Sequence, residues 1–257
     1  MALLALTVAL LAVPVATMAM EEVALDMAPA SFDDQYRDCG LAMSRALPAL
    51  KRSDFQNNAE FARVWPEAES KWQGRESRVS PLSPAQASAI TAYTMNYLYK
   101  DFNEKVSVAG ISPQQYRQNF HYKTLHFLLT DALATLRDAG KGQKCHCVVR
   151  GVNDKVFKAK LGATVRFGRF TSASLCENVA QGFGTHTVFR VRTCQGASIR
   201  EFSEYPDEDE VLIPPFETFN VTKVIPKGDE VEIHLNSTGT YSKYNCEWVT
   251  GGDSLGT

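Results

Sequence analysis

The 257-residue sequence contains no dense run of lysine and arginine, no internal repeat, no low-complexity tract and no long linker. Its 27 Lys and Arg against 29 Asp and Glu give a net charge of -2, so it has no electrostatic footprint for a nucleic acid or an anionic membrane surface. Without repeats or linkers, one domain over residues 21–257 is the simplest count. No third glycine follows Gly182-Phe183-Gly184 at the required spacing and no helix is expected to open there, which rejects a dinucleotide-binding βαβ fingerprint. Cys145-His146-Cys147 has no second Cys/His pair at ligand spacing, and His121 and His126, five apart, would point to different sides of a helix. No metal centre is expected. No apolar tail follows Trp248, so a lipid anchor added at the C-terminus is not expected either.

Charge is also missing from Met1–Met20, which read as a signal peptide with small residues, Thr17 and Ala19, before Glu21. The run approaches the roughly 18 apolar residues a membrane span requires, but Pro14 and the Ala-rich end suit cleavage better than a stable helix. After cleavage no stable membrane insertion is expected. Six cysteines behind such a leader point to disulfides, and Asn220-Val221-Thr222 and Asn236-Ser237-Thr238 are N-glycosylation sequons. These features agree on a secreted product or one held in the lumen of the secretory pathway.

The segment before Ser80 is polar and gives no clear pattern. Ser83-Pro84 supplies an N-cap and a first helical position for a helix through about Lys105, and Ser112-Pro113 opens a second helical stretch. There Leu125, Leu128, Leu129, Ala132 and Leu136 recur at helical spacing and Gly140 stands at the C-cap. From Cys145 the residues become β-branched and alternating, with strands expected over 145–152, 164–174, 187–194, 210–216, 221–225 and 230–235. Helices first and strands second mean an α+β fold.

Three local patterns could carry chemistry. Glu208-Asp209-Glu210 precedes an apolar strand. If both glutamates enter it, they face the same way about 6.5 Å apart; otherwise they are a solvated turn. Two carboxylates on one face are what glycosidic cleavage requires, one to stabilise an oxocarbenium-like centre and one to manage a proton. Arg150 lies in the apolar strand Cys-Val-Val-Arg-Gly-Val, where a half-buried guanidinium needs an anion, either a phosphate or a structural carboxylate. Phe170-Thr171-Ser172-Ala173-Ser174 places hydroxyls of Ser172 and Ser174 on one face of a strand.

Taken in order, these motifs resemble the vertebrate arginine-specific mono-ADP-ribosyltransferases, whose signature is an Arg, a Ser-Thr-Ser strand and a Glu-x-Glu. Phe120-His-Tyr122-Lys123-Thr-Leu-His126-Phe127-Leu-Leu129-Thr130-Asp-Ala132 matches the family's helix signature, followed by Arg150-Gly151, Ser172-Ala173-Ser174 and Glu208-Asp-Glu210-Val-Leu-Ile-Pro-Pro. The resemblance spans about residues 93–248, and the catalytic core about 83–248. Ala173 departs from the usual threonine. On a strand it points away from the two serines, so packing is affected more than catalysis.

The resemblance implies an ADP-ribosyltransferase fold, a helical N-terminal region followed by a mixed β-sandwich core. It implies transfer of ADP-ribose from NAD, with NADP as an alternative co-substrate, to arginines of acceptor proteins. Glu210 would stabilise the oxocarbenium-like transition state, Glu208 would select arginine, Arg150 would hold phosphate or the adjoining ribose, and Ser172 would orient Glu210. Tyr93, Tyr99, Asn103, Ser203 and Phe183 would be further cofactor contacts. It also implies Cys39–Cys246 and Cys145–Cys194 bridges, leaving Cys147 and Cys176 to pair or stay free. A secreted NAD glycohydrolase and a catalytically silent binding protein of the same fold are the alternatives.

Overall fold

The computed structural model describes residues 20–75, 80–140, 145–175, 182 and 184–251. Of the expected features, residues 1–19 of the leader, Cys176 and Phe183 lie outside these.

The unassigned polar segment forms two helices, α1 (Gly40–Asn57) and α2 (Ala59–Gln73). Pro48 and Pro66 inside them hide the pattern, because proline removes a helical hydrogen bond and reads as a break. Their buried faces keep the period nonetheless: Phe61, Val64, Trp65 and Ala68 form one stripe of α2, and the Asn58 side chain caps it by accepting from Phe61 N at 2.9 Å.

The helix expected over 83–105 is two helices, α3 (Pro84–Thr94) and α4 (Tyr99–Ala109). Met95 turns to extended backbone (ψ 136°), and Met95 and Leu98 both fold into the core, 3% and 0% exposed. On one straight helix residues 93 and 103 would stand about 15 Å apart along the axis; the break instead lets Asn103 Nδ2 donate to Tyr93 Oη at 3.2 Å. At the start of α3, Ser83 Oγ accepts from Gln86 N and Gln86 Oε1 accepts from Ser83 N, a reciprocal cap. Gln86 Nε2 also donates to Asp131 at 2.7 Å, tying α3 to the helix that carries Asp131.

The second expected helix is likewise divided, into α5 (Pro113–Asn119) and α6 (Lys123–Ala139). His121 therefore lies between helices, while His126 is buried on α6.

The strands are β1 (Glu21–Ala24), β2 (His146–Val152), β3 (Lys155–Lys158), β4 (Thr164–Val165), β5 (Thr171–Ser174), β6 (Thr187–Thr193), β7 (Ala197–Ser198), β8 (Glu210–Ile213), β9 (Glu217–Lys227) and β10 (Glu230–Thr240). A short α7 (Glu247–Thr250) follows. Eight of them form one sheet in the order β4-β9-β10-β6-β2-β5-β8-β7, antiparallel throughout except for the parallel β6–β10 pair, while β1 pairs with β3. This is the α+β architecture with a mixed sheet core. The single strand expected over 164–174 is split, because Arg166 leaves the sheet for a fully buried ion pair with Asp33 (2.6 Å) and Gly168 takes φ +65°.

Two apolar cores sandwich the sheet. Leu212 and Phe170 face the helices, while Val211, Ile213 and Ala173 join the opposite core, against which Val156 and Phe157 of β3 pack. This is the period-two alternation of strands buried on both faces. Disulfides join Cys39 to Cys246 and Cys145 to Cys194, the second across the ends of neighbouring β2 and β6. Cys147 is exposed and unbridged.

Candidate active site

β2, β5 and β8 are adjacent in the sheet, with Val149 opposite Ser174, Ser174 opposite Glu210 and Ser172 opposite Leu212. That register gathers Arg150, Ser172 and Glu210, widely separated in sequence, at one cleft of about 880 Å³. Arg150 Nη1 donates to Ser172 O at 2.6 Å. Burial pushes its guanidinium below its ordinary pKa, and neighbouring Arg169 pushes the same way.

Glu210 is 6% exposed. Burial raises its carboxyl above the ordinary value, and the Glu208 charge adds to this; hydrogen bonds from Ser172 and Ser203 and the charge of Arg150 oppose it. The Ser203 hydroxyl, itself 1% exposed, lies 3.4 Å from Glu210 Oε2.

Glu208 does not enter the strand. Pro206–Glu208 is a single 3-10 turn and Asp209 takes the left-handed conformation (φ 45°), so the two glutamates do not share a face by strand period. Instead the turn folds Glu208 over the cleft. Its carbonyl accepts from Ser174 Oγ at 2.6 Å, its N–H donates to Tyr205 O at 3.1 Å, and partial burial raises its carboxyl pKa.

Tyr93, Tyr99 and Asn103 all line the cleft. Tyr93 is 3% exposed and sits behind Ser172: its hydroxyl donates to Phe170 O at 3.2 Å, lies 3.5 Å from Ser172 Oγ, and has its pKa pushed up to about 12 by burial. Asn103 is 8% exposed, and its Oδ1 has no hydrogen-bond partner among the described residues. Sequence reasoning missed Arg169, Lys100, Glu104, Asn153 and Lys155 of the same lining. Arg169 stands three residues before Ser172, a signal that was available; the others are marked only by the fold.

The helix signature of residues 120–132 contributes nothing to the cleft lining. Lys123 donates to Phe120 O and sits over the Tyr116 and Trp248 rings, with its pKa lowered to about 8 by burial. His126, its pKa lowered to about 3 by burial, is neutral and bonded to Tyr36 Oη at 2.8 Å. This helix is therefore a packing element. Among the described residues no group of three or more His, Cys, Asp or Glu is placed to hold a metal ion. Asn220 and Asn236 lie opposite each other on β9 and β10; Asn236 is exposed, while Asn220 Nδ2 donates to Gly162 O.

The family model described as NAD:arginine ADP-ribosyltransferase matches residues 25–243. The chain is 48% identical over 234 residues to the erythroblast NAD(P)(+)--arginine ADP-ribosyltransferase of Gallus gallus, covering 90% of this chain and 77% of that protein. It is 45% identical to the GPI-linked NAD(P)(+)--arginine ADP-ribosyltransferase 1 of Homo sapiens, covering 89% and 75%. The crystal structure of a mutant of the eukaryotic mono-ADP-ribosyltransferase ART2.2 in complex with NAD superposes with a TM-score of 0.74 at 37% identity, covering 87% of this chain and 98% of that one.

Proposed function

This chain belongs to the NAD:arginine ADP-ribosyltransferase family, and on that premise we propose that Glu210 drives cleavage of NAD while Glu208 directs the ADP-ribose to an arginine side chain. The observation that carries this reading is a buried carboxylate flanked by two hydroxyls and an arginine at one cleft. The cleft chemistry fits NAD: Arg150 and Arg169 offer fixed positive charge for phosphates, and the orphaned Asn103 Oδ1 offers an acceptor to an O–H or N–H donor. NAD supplies a cationic nicotinamide leaving group and a ribose carbon that becomes positive as the bond to it breaks.

Glu210, ionised, stabilises that developing charge, and its small exposure keeps water from screening the interaction. Ser172 and Ser203 favour the ionised form against burial by donating to it. Tyr93 backs Ser172, and Tyr99 and Asn103 line the cleft beside it. The acceptor guanidinium has a pKa above 12 and is a poor nucleophile while protonated. Glu208 pairs with it through charge-assisted hydrogen bonds and takes the proton lost as the new C–N bond forms. Its raised pKa suits that base role.

The acceptors in this reading are arginine-bearing proteins met outside the cell or in the secretory lumen. Two disulfides support that compartment, and no described helix is long and apolar enough to cross a membrane. The proposal extends to removal of residues 1–20 as a signal peptide, one catalytic domain over the rest, and glycans on Asn220 and Asn236. NADP is included as co-substrate. Incubation with radiolabelled NAD and a free-arginine analogue tests the core of this reading. A labelled adduct is expected; nicotinamide release without adduct would make the chain a glycohydrolase, and neither product would make it a binding protein.

A further inference from the structure

Between Ser198 and Glu210 the chain is a loop that carries Ser203, Tyr205 and Glu208 into the site, and α2, which lines no part of the cleft, reaches across to hold it. Arg75, just beyond the end of α2, donates from Nη1 to Glu201 O and from Nη2 to Ser203 O and Glu204 Oε1, each at 2.9 Å. Lys71, one helical turn earlier, donates to the other oxygen of Glu204 at 2.5 Å. Trp72 packs on Phe202 with ring centroids 5.4 Å apart. From α3, Thr91 donates to Phe202 O and Thr94 Oγ1 accepts from Glu204 N.

The burial of these groups separates two kinds of anchor. The aromatic pair and the threonines belong to the core, whereas Arg75 and Lys71 keep 29% and 41% of their side-chain surface exposed. Ion pairs so exposed contribute little to stability. What the guanidinium fork supplies is geometry: it spans two carbonyls two residues apart and the carboxylate beside them, and one of those carbonyls belongs to Ser203, whose hydroxyl approaches Glu210. Glu210 itself is held by strand pairing and Ser172, and Ser203, which approaches it, keeps the bond from its own N–H to Ile199 O at 2.9 Å without Arg75. Glu208 depends on the anchor more, because apart from the Ser174 bond to its carbonyl it hangs on the loop that Arg75 fastens.

We propose that Arg75, acting with Lys71 through Glu204, is a positioning residue for Glu208 and so sets how much ADP-ribose goes to arginine rather than to water. This rests on the reading of Glu208 given above. In an Arg75→Ala variant, transfer to a free-arginine analogue is expected to fall about tenfold with a raised acceptor KM, the scale of a sub-ångström to 1 Å misplacement. NAD KM and acceptor-free nicotinamide release are expected to stay within about twofold, since the groups that cleave NAD keep their anchors. Arg75→Lys, which keeps the ion pair but loses the fork, is expected to fall between wild type and Arg75→Ala, and it supplies the same ratio if the alanine variant does not fold. An unchanged transfer-to-hydrolysis ratio in the folded variants, or a parallel loss of both activities, overturns the proposal. Absence of transfer by the wild-type protein would instead overturn the reading of Glu208.

Discussion

The two halves of the cleft are held by different physics. Arg150, Ser172 and Glu210 stand on three adjacent strands, where backbone pairing fixes each position relative to the next. Glu208 stands on a 3-10 turn behind a left-handed residue, held by the side chains of Ser174 and, through the loop, of α2 and α3. A strand-borne group moves only if the sheet moves, whereas a loop-borne group can shift when one hydrogen bond is lost. The rigid half is thus suited to bond cleavage, which needs preorganised charge, and the loop half to accepting one guanidinium among many protein surfaces.

The largest effect should come from the rigid half. Glu210→Gln is expected to lower both nicotinamide release and transfer by about two to three powers of ten, measured with labelled NAD. The same variant tests what burial costs. The folded pKa of Glu210 is raised above its unfolded value, so its stability contribution is full below about pH 4, near the unfolded glutamate value, and is lost as pH rises through the folded pKa. Glu210→Gln should therefore melt at a higher temperature than wild type at neutral pH, and that advantage should vanish at acid pH.

Next comes the loop half alone. Glu208→Gln should lower transfer by about two powers of ten, the typical share of a general base, and leave NAD hydrolysis within about twofold. Equal loss of both activities would erase the division between the halves. Ser174→Ala is a milder version, since it removes the hydroxyl that bonds the Glu208 carbonyl. One net hydrogen bond of about 0.5–1.5 kcal/mol corresponds to a loss of transfer between about twofold and about thirteenfold, read as a lower adduct yield at unchanged nicotinamide release.

The smallest effect is a shift along the pH axis. Glu210 acts ionised, so activity falls as pH drops through its raised pKa. Ser172→Ala removes a hydrogen bond that favours the ionised form, so the acid limb of acceptor-free nicotinamide release should move to higher pH. An unmoved limb would show that the sheet alone sets the carboxylate's charge.

Much of the rigid half was legible in the sequence. Alternating β-branched residues marked the strands, and Arg150, Ser172 and Glu210 stood in an order with a family meaning. Their neighbourhood was still not derivable from spacing, because sheet order depends on long-range pairing. A shared strand face for Glu208 and Glu210 depended on both entering the strand, and the left-handed Asp209 leaves Glu208 on a turn. The helix signature that anchored the resemblance proved to be core, with Lys123 and His126 buried away from the cleft. The first two helices were masked by their internal prolines, and the helix break at Met95, which brings Asn103 to Tyr93, had no proline or glycine to announce it.

By itself the sequence determined composition, the run of helices before strands and the identity of the groups that meet at the cleft, because propensity, alternation and motif order are local properties. Only the tertiary structure decided that Glu208 rides a turn while Glu210 lies on a strand, and that Arg75, more than a hundred residues earlier, holds the loop that leads to them. Such contacts are fixed by the packing of α2 on α3 and by the bonds both make to the loop before β8, which no window of sequence contains.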